Sequence, residues 1–293
     1  MLLQRVEMKM NSNLEKQIEP TLSCLNNELH DDSINNLSSL DSIYYDARHY
    51  ELIYKNNYFS PDLLRSDIPF WIDMANQYGD SVLELCCGSG RISIPLAQEG
   101  KLVTGIDILD SMLSEAREKC PQAEWIKADV QNFDLGKKFS LIIFPFNSLG
   151  HLLDIKAIED CFSCVRKHLK PEGRFIIDLE NSCSQENLEF YFSKDRALFS
   201  AYPDPDGKGT FVVTYQNEVD FSKQINISKL FFQLIEQEKE IIQEVPYRLF
   251  FPQELEALLK YNGFTVESKF GSHNKEPFTS QSPNHIVISK LQG

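Results

Sequence analysis

The chain is short of positive charge. Its 293 residues carry 29 Lys and Arg against 43 Asp and Glu, a formal net charge of −14. A protein that tracks nucleic-acid backbones needs a basic surface to displace counterions from phosphates, so general DNA or RNA binding is disfavoured. Long apolar runs are also missing: no window approaches the roughly 18 consecutive apolar residues of a membrane-spanning helix. The opening residues, MLLQRVEMKMNSNLEK, lack the sustained apolar stretch and small-residue cleavage site of a secretory leader. The seven cysteines are odd in number and lack the spacing of a disulfide framework. They read as reduced thiols, and the expected location is cytoplasmic. Cys161 and Cys164 are spaced C-x-x-C, but no second ligand pair accompanies them, so no metal is expected there.

Apolar residues make up 42% and charged residues 25%, enough to bury a real core. The length fits one or two domains at about 150 residues each. Residues 1–42 are rich in Asn, Ser and acids and read as a polar, flexible tail. The remaining residues, 43–293, read as one domain. Its first part, 43–79, reads as cap helices crowded with tyrosines (Tyr44, Tyr45, Tyr50, Tyr54, Tyr58). Ser60-Pro61 predicts a helix start, Pro69 an interruption or restart, and Gly79-Asp80 an end. From Ser81 strands and helices alternate. SVLELCC, LVTGIDI, AEWIKAD, FSLIIFPF and GRFIIDLE read as strands. RISIPLAQEG, LDSMLSEAREKC and DIKAIEDCFSCVRKHLKPEG read as helices. In the last of these Asp154 is the expected N-cap, with Ile155, Ile158, Phe162, Val165 and Leu169 on one face. This alternation implies βαβ crossovers and a mostly parallel sheet covered on both faces, an α/β fold. Residues 181–209 read as loop. The period of two through Phe211, Val213, Tyr215, Val219 and Phe221 begins a three-stranded antiparallel insertion over 210–249, with a bulge expected near Lys229. PQELEALLKYNGF is a helix with a glycine cap at Gly263, and FTVESKF and HIVISK are closing strands.

The informative stretch is Glu84-Leu85-Cys86-Cys87-Gly88-Ser89-Gly90, followed by Asp107. Glycines at a strand-to-helix turn let the backbone approach a ligand, and the following helix presents free N–H groups. Asp107 ends the next strand, where a carboxylate can accept both ribose hydroxyls of a nucleoside. A dinucleotide fingerprint wants a third glycine where this chain has Ser93, and no Walker-A lysine follows the turn. A ligand with ribose but no phosphate fits better.

These motifs resemble those of the class I, Rossmann-like S-adenosylmethionine (SAM)-dependent methyltransferases. ELCCGSGRISIPLAQEG is similar to their glycine-rich first motif and VTGIDILDSMLSEAREK to their acidic second motif. ADVQNF resembles the adenine-holding loop, KHLKPEGRFIIDLE the entry to the fifth strand and FPQELEALLKYNGF the C-terminal helix. The resemblance spans roughly residues 43–290. It implies a seven-stranded, mostly parallel sheet with helices on both faces, plus the small antiparallel insertion. It implies SAM as cofactor, held by Glu84, Cys86, Gly88, Gly90, Asp107, Ile108, Met112, Asp129, Val130 and Phe146. Cys86 departs from the glycine most common at its position. YELIY, the FPFNSLGHL loop and the insertion are similar to small-molecule N-methyltransferases, most nearly those acting on amino groups of nucleotide-linked sugars.

That likeness implies a role for Tyr54 near the transferred methyl group. His151 reads either as a base or substrate contact or as a surface histidine at a helix start. Asn147 and Ser148 are the other polar residues of that loop, and Arg248 would face an anionic substrate group or pair with a nearby acid. Cys86 and Cys87 read as pocket-lining. The reading is SAM-dependent methyl transfer to a small-molecule acceptor, an amine nitrogen before a hydroxyl. The alternatives are a protein or tRNA methyltransferase, or a SAM-binding protein without catalysis. A homodimer is compatible with the sequence, and no membrane partner is expected.

Overall fold

The computed structural model describes residues 43–56, 66–235, 237 and 240–293. The expected tail over 1–42 and the helix start at Pro61 lie outside the described residues. A 3-10 turn, Ile43–Tyr45, leads into α1 (Ala47–Lys55) and is followed by α2 (Ile68–Tyr78). Then come β1 (Ser81–Leu85), α3 (Ser93–Gln98), β2 (Leu102–Asp107), α4 (Asp110–Lys119), β3 (Glu124–Lys127) and β4 (Phe139–Phe144). A 3-10 turn at Ser148–His151 precedes α5 (Ile155–His168) and β5 (Leu169–Glu180). The chain continues through α6 (Gln185–Phe192), β6 (Ala197–Pro203), β7 (Thr210–Asp220), β8 (Ile225–Leu234) and β9 (Glu240–Arg248). It closes with α7 (Pro252–Tyr261), β10 (Phe264–Phe270) and β11 (Asn284–Leu291).

Seven strands form the main sheet in the order β10-β11-β5-β4-β1-β2-β3. β1 pairs in parallel with both β2 and β4, so the strand order reverses between β1 and β4. The last two strands join antiparallel through β11 against β5. Successive residues of each central strand serve opposite faces, which is why these strands are apolar throughout. Val82, Leu141, Ile143, Ile176 and Ile286 pack under α2 with Phe70, Trp71 and Met74. Leu83, Ile142, Phe144, Phe175, Ile177 and Val287 pack against α5 and α7 through Ile158, Phe162, Val165, Leu255 and Leu259. Asp154 caps α5, its Oδ1 accepting from the Ala157 N–H at 2.8 Å. Ile155 is exposed rather than core, while Cys161 and Cys164 are buried in the α5 face.

The second sheet differs from expectation. Residues 181–209 contain α6, capped by Ser184, and β6, so the insertion has four antiparallel strands in the order β6-β7-β8-β9. No bulge occurs at Lys229: β8 keeps register with β7 and β9 throughout, and the irregularity lies in β6 between Leu198 and Ser200. The apparent change of parity has a polar cause. Asn226 occupies the buried face of β8, its Nδ2 donating to Asn217 Oδ1 at 3.2 Å, so the apolar pattern breaks without the backbone slipping. α1 packs on this sheet through Ile53, with Tyr44 beside it, against Phe211, Val213, Tyr215 and Phe232.

His285 on β11 is 1% exposed, stacked on Phe278 with ring centroids 4.5 Å apart. Burial, reinforced by Lys269, lowers its pKa to about 4. The unfolded chain therefore binds more protons than the fold below the ordinary value near 6.5. This contribution is full above about pH 6.5 and is lost as the pH falls toward 4. His285→Phe is expected to flatten the urea midpoint over that window relative to the parent chain; an unaltered pH slope would contradict the assignment.

Candidate active site

At the carboxyl end of β1 the chain turns through left-handed backbone. Cys86 has φ 53°, Gly88 54° and Gly90 87°. The two glycines serve different needs. A Cβ on Gly90 would meet Trp125 Cη2 at 2.7 Å, so packing excludes a side chain there. A Cβ on Gly88 would meet nothing within 4 Å, so it would project into open space beside the turn. Asp107, 7% exposed at the end of β2, closes the turn from the other side. Its Oδ2 accepts from the Gly88 N–H and its Oδ1 from the Leu109 N–H, both at 2.9 Å. Burial raises its pKa, and backbone N–H groups of Leu109, Gly88 and Ile108 act against that rise. Each carboxylate oxygen has further acceptor capacity.

The other cofactor candidates divide by position. Ile108 is 48% exposed, an apolar side chain at the rim of β2. Val130 is buried, and Asp129 closes an Asx turn by accepting from the Gln131 N–H at 2.9 Å. Met112 is buried in α4. Glu84 lies within the fold, bonded to the Ser93 hydroxyl, and burial pushes its pKa up to about 8. Cys87 packs with Leu113, Ala116, Cys120 and Trp125, so it belongs to the core and not to a pocket wall. Cys86 is half-buried.

Across the crevice, the loop after β4 is held in an unusual shape. Phe146 (φ 57°) and Asn147 (φ 58°) are consecutive left-handed residues, costly for a phenylalanine. The end of β5 holds them. The Phe146 N–H donates to Asp178 Oδ2 at 3.3 Å, the Asn147 N–H to the Asp178 carbonyl at 3.0 Å, and Asn147 Oδ1 accepts from the Glu180 N–H at 3.3 Å. The Phe146 ring carries the Arg91 guanidinium 4.7 Å from its centroid and meets the Tyr54 ring at 5.4 Å. Arg91 is itself gripped by Asp67 at 2.5 and 2.9 Å. Arg91 over the Phe146 ring, and the Tyr54 ring edge-to-face against it, thus join the glycine turn to α1.

α1 crosses the crevice. The Tyr50 phenol feels Arg91 and Asp107, whereas one turn later the Tyr54 phenol feels Glu180 and Tyr247. Burial raises both phenol pKa values well above the ordinary range, so both stay protonated. The Tyr54 hydroxyl lies 2.8 Å from that of Tyr44. The insertion closes the same end, because a Cβ on Gly150 would meet the Arg248 carbonyl at 3.3 Å and Tyr247 Cβ at 3.5 Å. Ser148 is half-buried and His151 exposed. The His151 pKa is nonetheless lowered by the surrounding protein, as befits a side chain on the wall of an open recess.

Arg248 is buried. Its guanidinium donates to Glu254 Oε1 at 2.7 Å and to the Leu153 carbonyl at 3.1 Å, bracing β9 against α7 and the loop before α5. Of its two sequence readings, pairing with an acid is the one realised. Arg91 and Glu180 were missed. The signal for Arg91 was its place directly after Gly-Ser-Gly; the signal for Glu180 was an acid ending the fifth strand. Asp67, Asp178 and His273 lie close enough to hold a metal ion. Their oxygens are already engaged: Asp67 by Arg91 and the Trp71 indole, Asp178 by Phe146 and His273.

Residues 82–173 match a family model described as a methyltransferase domain. Two curated relatives are similar over part of their length. One is the dTDP-3-amino-3,4,6-trideoxy-alpha-D-glucopyranose N,N-dimethyltransferase of Streptomyces venezuelae, 27% identical over 39% of this chain and 48% of that protein. The other is the dTDP-3-amino-3,6-dideoxy-alpha-D-glucopyranose N,N-dimethyltransferase of Streptomyces fradiae, 30% identical over 33% and 38%. The chain spans about half the length of the curated relatives it matches. Among solved structures, the sugar N-methyltransferase KedS8 of a Streptoalloteichus species aligns over 91% of this chain and 99% of its own, with a TM-score of 0.66 at 14% identity. At that identity the likeness speaks for the fold. Fold, glycine turn and strand-end acid resemble those of class I, Rossmann-like SAM-dependent methyltransferases, with the family match lying over residues 82–173.

Two outcomes follow from this geometry. Asp107→Ala should weaken SAM binding about ten- to hundredfold in calorimetry, the range for hydrogen bonds to a charged acceptor; unchanged affinity in a folded variant would remove Asp107 from the site. Cys86→Gly should leave folding stability unchanged or raise it by up to about 1 kcal/mol, because glycine adopts positive φ without strain. Cys86→Val should lower it, and the reverse order in urea unfolding would contradict a strained Cys86.

Proposed function

We propose that this protein transfers a methyl group from SAM to the amine nitrogen of a small molecule. The observation that carries the reading is the Arg91–Phe146–Tyr54 array, with the two rings edge to face, which sets aromatic side chains between the glycine turn and α1. The residues present fit the cofactor. Asp107 would accept the ribose hydroxyls, the open side of Gly88 would admit the methionine portion, and Ile108 would lie against the purine near Asp129 and Val130. When bound, SAM supplies a methyl group on a sulfonium that needs no further activation.

The chain's own task is then positioning and exclusion of water. Tyr54 would bring an aromatic ring near a cationic sulfur, which such rings favour. Tyr50 and Tyr54 would form one wall of the recess, and Asn147, Ser148 and His151 the other. A recess lined by rings with few polar groups suits a small ligand. The relatives named for N,N-dimethylation of amino sugars support nitrogen over oxygen as acceptor. The net charge of −14 supports a small molecule over tRNA.

The test is a turnover screen with SAM against pools of amines, amino sugars and hydroxyl compounds, reading S-adenosylhomocysteine release. Turnover is expected in the amine pools. Release with none of the pools would overturn the reading. With an active acceptor, Tyr54→Phe should lower kcat while SAM affinity stays within about twofold, since the ring remains and only the hydroxyl goes. Equal losses in both would assign Tyr54 to cofactor binding instead.

A further inference from the structure

The last residue of β5 is a carboxylate that the assignments above leave without a role. Glu180 as a residue is exposed, while enough protein surrounds its carboxyl to raise the pKa. Its Oε2 accepts a hydrogen bond from the Tyr191 hydroxyl on α6 at 3.0 Å. Its backbone is tied to Asn147, the residue after Phe146, so its position is fixed by the loop that bears the ring stack. The Tyr191 ring that bonds it lies 6.4 Å from the Tyr247 ring of β9, and the paired Tyr44 and Tyr54 hydroxyls lie within range of its charge. Exposure together with this convergence describes a carboxylate at the floor of an open, aromatic-walled recess. The charged group that acts on it is another acid, Asp178, two residues back on the same strand. Among the described residues no Lys, Arg or His forms an ion pair with Glu180, whereas Asp178 has His273 at 3.1 Å.

A carboxylate without its own cation, ringed by phenols, suits a ligand that brings positive charge and donors. We propose that Glu180 binds the ammonium group of the acceptor and takes one of its protons, an inference that rests on the methyl-transfer reading above. The step balances simply. The acceptor R–NH3+ gives a proton to the Glu180 carboxylate and becomes R–NH2. The nitrogen lone pair forms the N–CH3 bond as the S–CH3 bond of SAM breaks, its electrons passing to sulfur. The products are R–NH2+–CH3, S-adenosylhomocysteine and a protonated Glu180, which returns its proton to water through the open side of the recess. Loss of hydration and Asp178 both raise the Glu180 pKa, which narrows the gap to the ammonium and eases the transfer. The site therefore selects amines, and a neutral hydroxyl compound of equal shape gains no charge pairing there.

The test uses the full chain saturated with S-adenosylhomocysteine. It is titrated with a panel of amino sugars and simple primary amines, and with their hydroxyl counterparts, in the parent and in Glu180→Gln. The expected result is binding of amines over hydroxyl counterparts in the parent, and a loss of about ten- to hundredfold for amines in Glu180→Gln. S-Adenosylhomocysteine affinity should be unchanged, which also reports that the variant is folded. Glu180→Asp should recover part of the amine affinity. Equal amine binding in parent and Glu180→Gln, or no preference for amines in the parent, would overturn the proposal. Hydroxyl turnover without amine preference would leave methyl transfer standing and remove Glu180. Amine binding lost in Glu180→Gln without methyl turnover would keep the ammonium site and remove the methyl-transfer reading.

Discussion

The crevice depends on backbone that leaves two adjacent parallel strands in left-handed conformation. The strand order reverses between β1 and β4, so their following segments diverge and leave a gap at the carboxyl edge. Cys86, Gly88 and Gly90 turn one wall away, and Phe146 and Asn147 turn the other. Glycine adopts this conformation freely, but Cys86 and Phe146 do not. Their presence requires that surrounding interactions over-determine the shape.

Two buried acids supply that determination from beneath. Asp67 and Asp178 are 3% and 2% exposed. Asp67 holds Arg91, whose guanidinium lies over the Phe146 ring, and also the Trp71 indole in the core under α2. Asp178 holds the Phe146 N–H, the Asn284 amide at 3.4 Å and His273 at 3.1 Å. That contact raises the His273 pKa against the lowering effect of burial. Each acid thus reaches Phe146 by a different route, one through the ring and one through the backbone. A buried charge left without its partner is expensive, so these pairs resist local opening. The result is a rigid platform on which α1 is laid, with the Tyr54 ring against Phe146.

The alternating strands and helices were legible because both faces of the main sheet are covered and each helix carries its own punctuation. Asp154 and Gly263 fall where caps were expected. The cofactor side was legible because it is made by local chain: a turn and an acid at successive strand ends. The acceptor side was less so, because it is assembled from segments far apart in sequence. Nothing local marks Tyr44, Tyr191 and Tyr247 as neighbours of one carboxylate. β6 was read as loop because the turn-rich YPDPDGKG stretch at its end masks it and β7 supplies the pairing. The expected bulge at Lys229 arose from Asn226, a polar residue on a buried face whose amide N–H donates to Asn217. Arg248 illustrates a further limit, since only the fold shows that Glu254 already occupies its guanidinium.

The central claim is that one crevice joins a nucleoside site at Asp107 to an acceptor recess at Tyr54. A crystal structure of the chain with S-adenosylhomocysteine tests it most directly. The account predicts ribose hydroxyls on the Asp107 carboxylate, the purine beside Ile108, and the thioether sulfur facing the recess beneath Tyr54 and Phe146. A ligand bound away from Asp107, or a sulfur turned from Tyr54 with the second sheet lying elsewhere, would contradict it.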